Sequence, residues 1–66
     1  MEKYRPRSNG VLIIGDMEAM ITLHVNQIWK VENSPGNINI FYIERKEITL
    51  RVEREYLEKN FVKVNK

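Results

Sequence analysis

The chain reads as one small, mainly β domain: five short antiparallel strands followed by a C-terminal helix. Three observations predict this. From Ile38 to Val52, apolar and polar residues alternate in two short runs separated by Glu44-Arg45-Lys46-Glu47. That is the period of half-buried strands joined in a hairpin. After Val52 the alternation stops, and Glu53-Arg54-Glu55-Tyr56-Leu57-Glu58-Lys59 reads as a helix start. The connections between apolar runs are all short, which suits antiparallel neighbours rather than crossovers.

In chain order, Met1 to Asn9 is a basic arm with Lys3, Arg5 and Arg7 around Pro6. It is the least regular of the five strands, because proline donates nothing to a ladder and is confined to edges. Asn9-Gly10 signals a turn. Val11-Leu12-Ile13-Ile14 is a continuous apolar run, the pattern of a strand covered on both faces. Gly15-Asp16 turns the chain, and Met17 to Ala19 lengthens that turn. Ile21, Leu23 and Val25 then alternate inward against Thr22, His24 and Asn26, with a bend near Asn26-Gln27 expected to return Ile28 to the core. Trp29 to Gly36 ends in Asn33-Ser34-Pro35-Gly36, a loop by its turn chemistry. In the hairpin, pairing Tyr42 with Ile48, Ile40 with Leu50 and Ile38 with Val52 puts six apolar side chains on one face and centres the loop on Arg45. Tyr56, Leu57, Phe61 and Val64 can share a helix face, and Phe61-Val62-Lys63-Val64 can equally be extended.

A chain of 66 residues buries a thin core and is marginal alone without a disulfide, a metal or a second subunit. It has no cysteine and one histidine, so disulfides and thiolate or histidine-cluster metal sites are excluded, no cofactor is implied, and a reducing cytoplasm suits it. Self-association is the remaining support. No run approaches a membrane span, and the first residues do not begin a signal peptide. The net charge of +2 permits nucleic acid without demanding it.

An enzyme is not expected. Asp16, Glu18, Glu32, Glu44 and Glu47 lie in or beside turns as solvated charges, His24 sits on the polar side of its strand, and Gly10, Gly15 and Gly36 stand alone in separate turns rather than in a phosphate loop. The basic residues say more. Arg5, Arg7, Arg45, Lys46, Arg51 and Arg54 fall at the first strand, the hairpin tip and the end of the last strand. Arginine forks to phosphate and stacks on bases, so such a set beside Tyr4 suits single-stranded RNA. Ion pairing with Glu47, Glu53 and Glu55 is the other reading of the same residues. Trp29 alternates with Val31, which favours burial; exposed, it would anchor a partner.

The order of elements resembles the carbon storage regulator family (CsrA and its RsmA and RsmE relatives), small RNA-binding translational regulators. The likeness rests on Tyr4-Arg5-Pro6-Arg7, on Asn9-Gly10-Val11-Leu12-Ile13-Ile14-Gly15-Asp16 against Gly-Glu-Ser-Ile-x-Ile-Gly-Asp, and on the spacing of Ile21, Leu23, Val25 and Ile28. It continues through Gly36-Asn37 and Leu50-Arg51-Val52-Glu53-Arg54-Glu55-Tyr56-Leu57 against Val-x-Val-His-Arg-Glu-Glu-Ile. Pro6 in the first strand, Glu53 in place of histidine, the absent Ala-Pro and an apparent insertion from Trp29 to Pro35 depart from the family. The resemblance implies an interlocked homodimer in which the first strand of one chain lies beside the fifth of the other. It also implies messenger RNA or small regulatory RNA as partner, read at Gly-Gly-Ala sites to control translation. Tyr4, Arg5 and Arg7 from one subunit and Val52, Arg54 and Glu55 from the other would form that RNA site. The alternative is a protein-interaction module that has lost RNA binding, with a protein partner at the Trp29 insertion. For this, Ile28-x-x-Val31-Glu32-x-x-Pro35 is similar to the flagellar FlbD and SwrD proteins.

Overall fold

The computed structural model describes residues 2–14 and 19–64. The Gly15-Asp16 turn, its extension through Met17 and the charges Asp16 and Glu18 lie outside the described residues. The elements are β1 (Glu2–Pro6), β2 (Gly10–Ile14), β3 (Ala19–Leu23), β4 (Trp29–Asn33), β5 (Ile40–Arg45), β6 (Ile48–Glu53), α1 (Arg54–Asn60) and β7 (Phe61–Lys63). The protein is mainly β with one short helix near its C-terminal end. An antiparallel five-stranded sheet runs β6-β5-β4-β1-β7, and β2-β3 forms a separate hairpin.

Two strands exceed the five expected. Trp29–Asn33, a loop by the chemistry that follows it and an insertion by the resemblance, is β4 in the middle of the sheet: Trp29 and Val31 point inward while Lys30 and Glu32 point out. Beyond the helix, Phe61–Lys63 turns extended and pairs with β1. The turn itself falls at Ser34 to Asn39, with Gly36 at φ 79°, a backbone conformation that glycine adopts without steric cost.

The β5–β6 register also differs from the expected one. Arg45 pairs with Ile48, Ile43 with Leu50 and Phe41 with Val52, leaving the two-residue turn Lys46-Glu47. The four-residue apolar run Ile40-Phe41-Tyr42-Ile43 satisfies either parity, so alternation alone does not choose a face. The tight turn chooses it, with Lys46 at φ 57°, because two-residue connections match strand twist when a central residue adopts positive φ. Phe41 and Ile43 therefore face the core, Tyr42 and Ile38 are exposed, and Ile40 is buried apart from the main cluster.

β1 lies inside the sheet, between β4 and β7 of its own chain, where the family resemblance would pair it with a second chain. Pro6 fits because of which way its nitrogen faces. Arg7 N–H donates to the Asn60 carbonyl (2.9 Å) and Val64 N–H to the Lys3 carbonyl (2.8 Å). Residues 3, 5 and 7 thus turn their backbone groups to β7, and Pro6 turns its nitrogen to the other side, past the Tyr4–Trp29 pair where β4 begins. No ladder bond is lost, and the ring is buried.

The core lies between one face of the large sheet, α1 and the hairpin. Leu23, Trp29, Val31, Ile43, Leu57 and Phe61 are buried together, with Tyr4, Leu12, Ile21, Phe41, Leu50, Val52 and Tyr56 packed around them. Trp29 and Phe61 meet edge to face at 6.0 Å, the arrangement ring quadrupoles favour. A helix of 7 residues is not stable by itself; Leu57 holds it to this core. In β3, Leu23 is buried and Thr22 exposed as the alternation requires, but Ile28 is exposed because the turn at Val25-Asn26 delivers Trp29 inward instead. β2 is covered on one face only: Leu12 is half-buried, while Val11 and Ile13 are 58% and 67% exposed.

Candidate nucleic-acid interface

The residues expected to read RNA fall into two groups that one chain does not bring together. Tyr4, Arg5 and Arg7 are at β1, and Val52, Arg54 and Glu55 are at the β6–α1 junction. Tyr4 and Val52 are three strands apart across the sheet. Following the registers, they are also four residues apart along it, a separation on the order of 20 Å.

Several of these side chains hold the fold instead. Arg54 donates through Nη2 to the Ile38 carbonyl (2.6 Å). Its Nη1 is 3.6 Å from Glu58 Oε2, and its guanidinium lies 5.0 Å from the centre of the Phe41 ring. It clamps the loop before β5 to the start of α1. Arg7 donates through Nε and Nη2 to the Glu58 carbonyl at 3.1 and 3.0 Å, tying the end of β1 to the last turn of the helix. Tyr4 and Val52 pack against the core. Arg5 and Glu55 are exposed, and Arg5 makes a local bond from Nη1 to the Pro6 carbonyl (3.2 Å). Trp29 is 1% exposed, with Nε1 donating to Gln27 Oε1 (3.0 Å). It is a core residue, so the partner anchor expected at the supposed insertion is not on the surface. His24 is exposed and accepts from Asn26 N–H at Nδ1 (3.1 Å).

Four cations outside these bonds gather at one end of the sheet: Lys3 and Lys30 on its outward face, and Arg45 and Lys46 where β5 turns into β6. Lys3 stands directly opposite Lys30, Lys30 opposite Glu44, and Glu44 opposite Thr49, one row across four strands. Lys3, Lys30, Glu44, Arg45 and Lys46 line one groove of about 520 Å³, with Ile28 beside them. None of its four cations is in an ion pair among the described residues. Like charges placed opposite each other on neighbouring strands repel, and Glu44 is the one carboxylate lining the groove. Arg5 follows Lys3 by two residues and so shares its face. Tyr42 is on the same face, 39% exposed. Lys30 escaped sequence reasoning because Trp29–Asn33 read as a loop; a Trp-Lys-Val-Glu alternation was the signal that could have placed it.

Tyr56 stands apart from this face, at the edge of the core beside β6. Burial pushes its phenol above its ordinary pKa. No family model, curated protein or solved structure matches the chain.

Proposed function

We propose that the chain is a non-enzymatic RNA-binding regulator that holds single-stranded RNA on the outward face of its sheet and across the adjoining β5–β6 turn. The observation that carries this is the groove of Lys3, Lys30, Arg45 and Lys46, with Lys3 and Lys30 opposed and none of the four in an ion pair among the described residues. Phosphates would relieve that repulsion, and the release of condensed counterions would drive binding. Arg5 extends the cationic track, and Tyr42 offers a ring on which a base can stack. The likeness to the carbon storage regulators supports RNA, with control of translation as the role. This reading moves the contacts away from Arg54 and Arg7, which the fold already uses.

Fluorescence anisotropy with single-stranded RNA in a salt series tests it. Affinity should fall steeply with salt. Lys30→Glu and Lys46→Glu should each weaken binding across all sequences and lower the logarithmic salt slope by about 0.7 for each phosphate left without its cation. No binding at low salt, or binding indifferent to both changes, would refute it.

A second reading, a protein-interaction module, is favoured by a different surface. Ile13 pairs with Met20 and Val11 with Thr22 on the outward face of the β2–β3 hairpin, where Val11, Ile13 and Met20 are 58%, 67% and 71% exposed. Clustered exposed apolar side chains mark protein contacts.

A further inference from the structure

Two unpaired strand edges face one groove. On β6, Arg54 N–H donates to the Asn39 carbonyl (2.7 Å), one step beyond the Ile40–Glu53 pair. In an antiparallel ladder this assigns Ile48, Leu50 and Val52 to bond with β5 and turns the N–H and C=O groups of Thr49, Arg51 and Glu53 outward. β6 ends the sheet order, so those groups have no strand beside them among the described residues. β2 pairs only with β3 among the described residues, so its other edge carries no strand, and Leu12 and Ile13 lie on the groove side. The groove between the edges, about 550 Å³, is lined by Leu12 and Ile13, by residues 49–53 and by Tyr56.

We propose that this groove takes an extended segment of a partner polypeptide, inserted as an added strand beside β6. It rests on the protein-interaction reading above. Free N–H and C=O groups repeating at strand spacing are satisfied by another backbone. The edge strand of a second copy fits poorly, because it is already bonded on its inner side and could meet only one of the two edges. A segment free on both sides meets both. Leu12, Leu50, Val52 and Tyr56 form an apolar floor for its alternate side chains. Arg51 and Glu53 point to the opposite face, exposed and without ion pairs among the described residues. Charge complementarity sets the remaining positions: an acidic residue opposite Arg51 and a basic one two places along, opposite Glu53.

Panning a phage-displayed library of random linear decapeptides on the full chain tests this. Enriched peptides should alternate apolar residues with an acidic and a basic residue two apart. Thr49→Pro removes an N–H that β5 does not use, so it should weaken the enriched peptides at least tenfold where Thr49→Ala does not. Arg51→Glu, at an exposed side chain, should replace the acidic preference opposite position 51 with a basic one, giving peptides with two basic residues two apart, and serves as the second variant should Thr49→Pro disturb the strand. Peptides that bind Thr49→Pro and Arg51→Glu as tightly as the parent would overturn the proposal. Peptides that ignore Thr49→Pro but fail to bind Met20→Asp would overturn it as well, while leaving the hairpin as a protein-binding surface. Displacement of the peptides by single-stranded RNA would give the groove to RNA and overturn it too.

Discussion

Arg54 is the side chain on which the functional and structural readings compete. Its bond to the Ile38 carbonyl, its place over Phe41 and its proximity to Glu58 all lie within one chain. Removing a charge-assisted bond and a cation–π interaction together should cost about 1–3 kcal/mol of stability in Arg54→Ala, read as a lower denaturant midpoint with an unchanged slope. Any loss of RNA affinity in that variant should track its unfolded fraction and disappear where the protein is fully folded. A stable Arg54→Ala with RNA binding abolished would return the residue to the interface. Lys30 is the converse case. Exposed on β4 and without an ion pair among the described residues, it can be changed with little effect on the fold, so Lys30→Glu reports on binding.

At the scale of the elements, β1 decides between two architectures. A first strand carrying Glu2, Lys3 and Arg5 buries little apolar area, and a proline within it suggests fraying. In the sheet, however, Glu2 to Tyr4 pair with β4 and Tyr4 to Pro6 with β7, so a polar strand is held by two neighbours. Amide exchange at Lys3, Tyr4 and Arg5 should therefore be slow, comparable to that in β5. Exchange there as fast as at the exposed Ser8 and Asn9 would mean that β1 leaves the sheet, which strand exchange with a second chain would require. The β2–β3 hairpin is the opposite kind of element, holding the core through Leu12, Ile21 and Leu23 while exposing its other face.

For the molecule as a whole, Trp29 is the central support. It is the largest of the fully buried side chains and touches the aromatic cluster through Phe61. It also stands opposite Tyr4, joining β4 to β1. Trp29→Ala should cost about 3–5 kcal/mol. Because a domain of this size has little stability to spare, circular dichroism of that variant should show a chain largely unfolded at room temperature. A cooperative melt near that of the parent would show that the core does not depend on this residue.

The sequence alone determined the β character, the turn around Pro35-Gly36, the helix start after Val52 and the burial of Trp29, because each follows from local period or turn chemistry. The exposure of His24, just past the end of β3, was equally legible. The tertiary structure alone decided the rest. The run from Ile40 to Ile43 is apolar at four successive positions, so only the Lys46-Glu47 turn selects which pair faces inward. β4 was hidden by loop chemistry beginning four residues after Trp29, and β7 by a segment whose spacing suits helix or strand until β1 offers it an edge. The candidate site was the least legible part. Whether an arginine meets solvent or a carbonyl depends on which carbonyl the fold carries to it, and for Arg7 and Arg54 those belong to Glu58 and Ile38, 51 and 16 residues away in the chain.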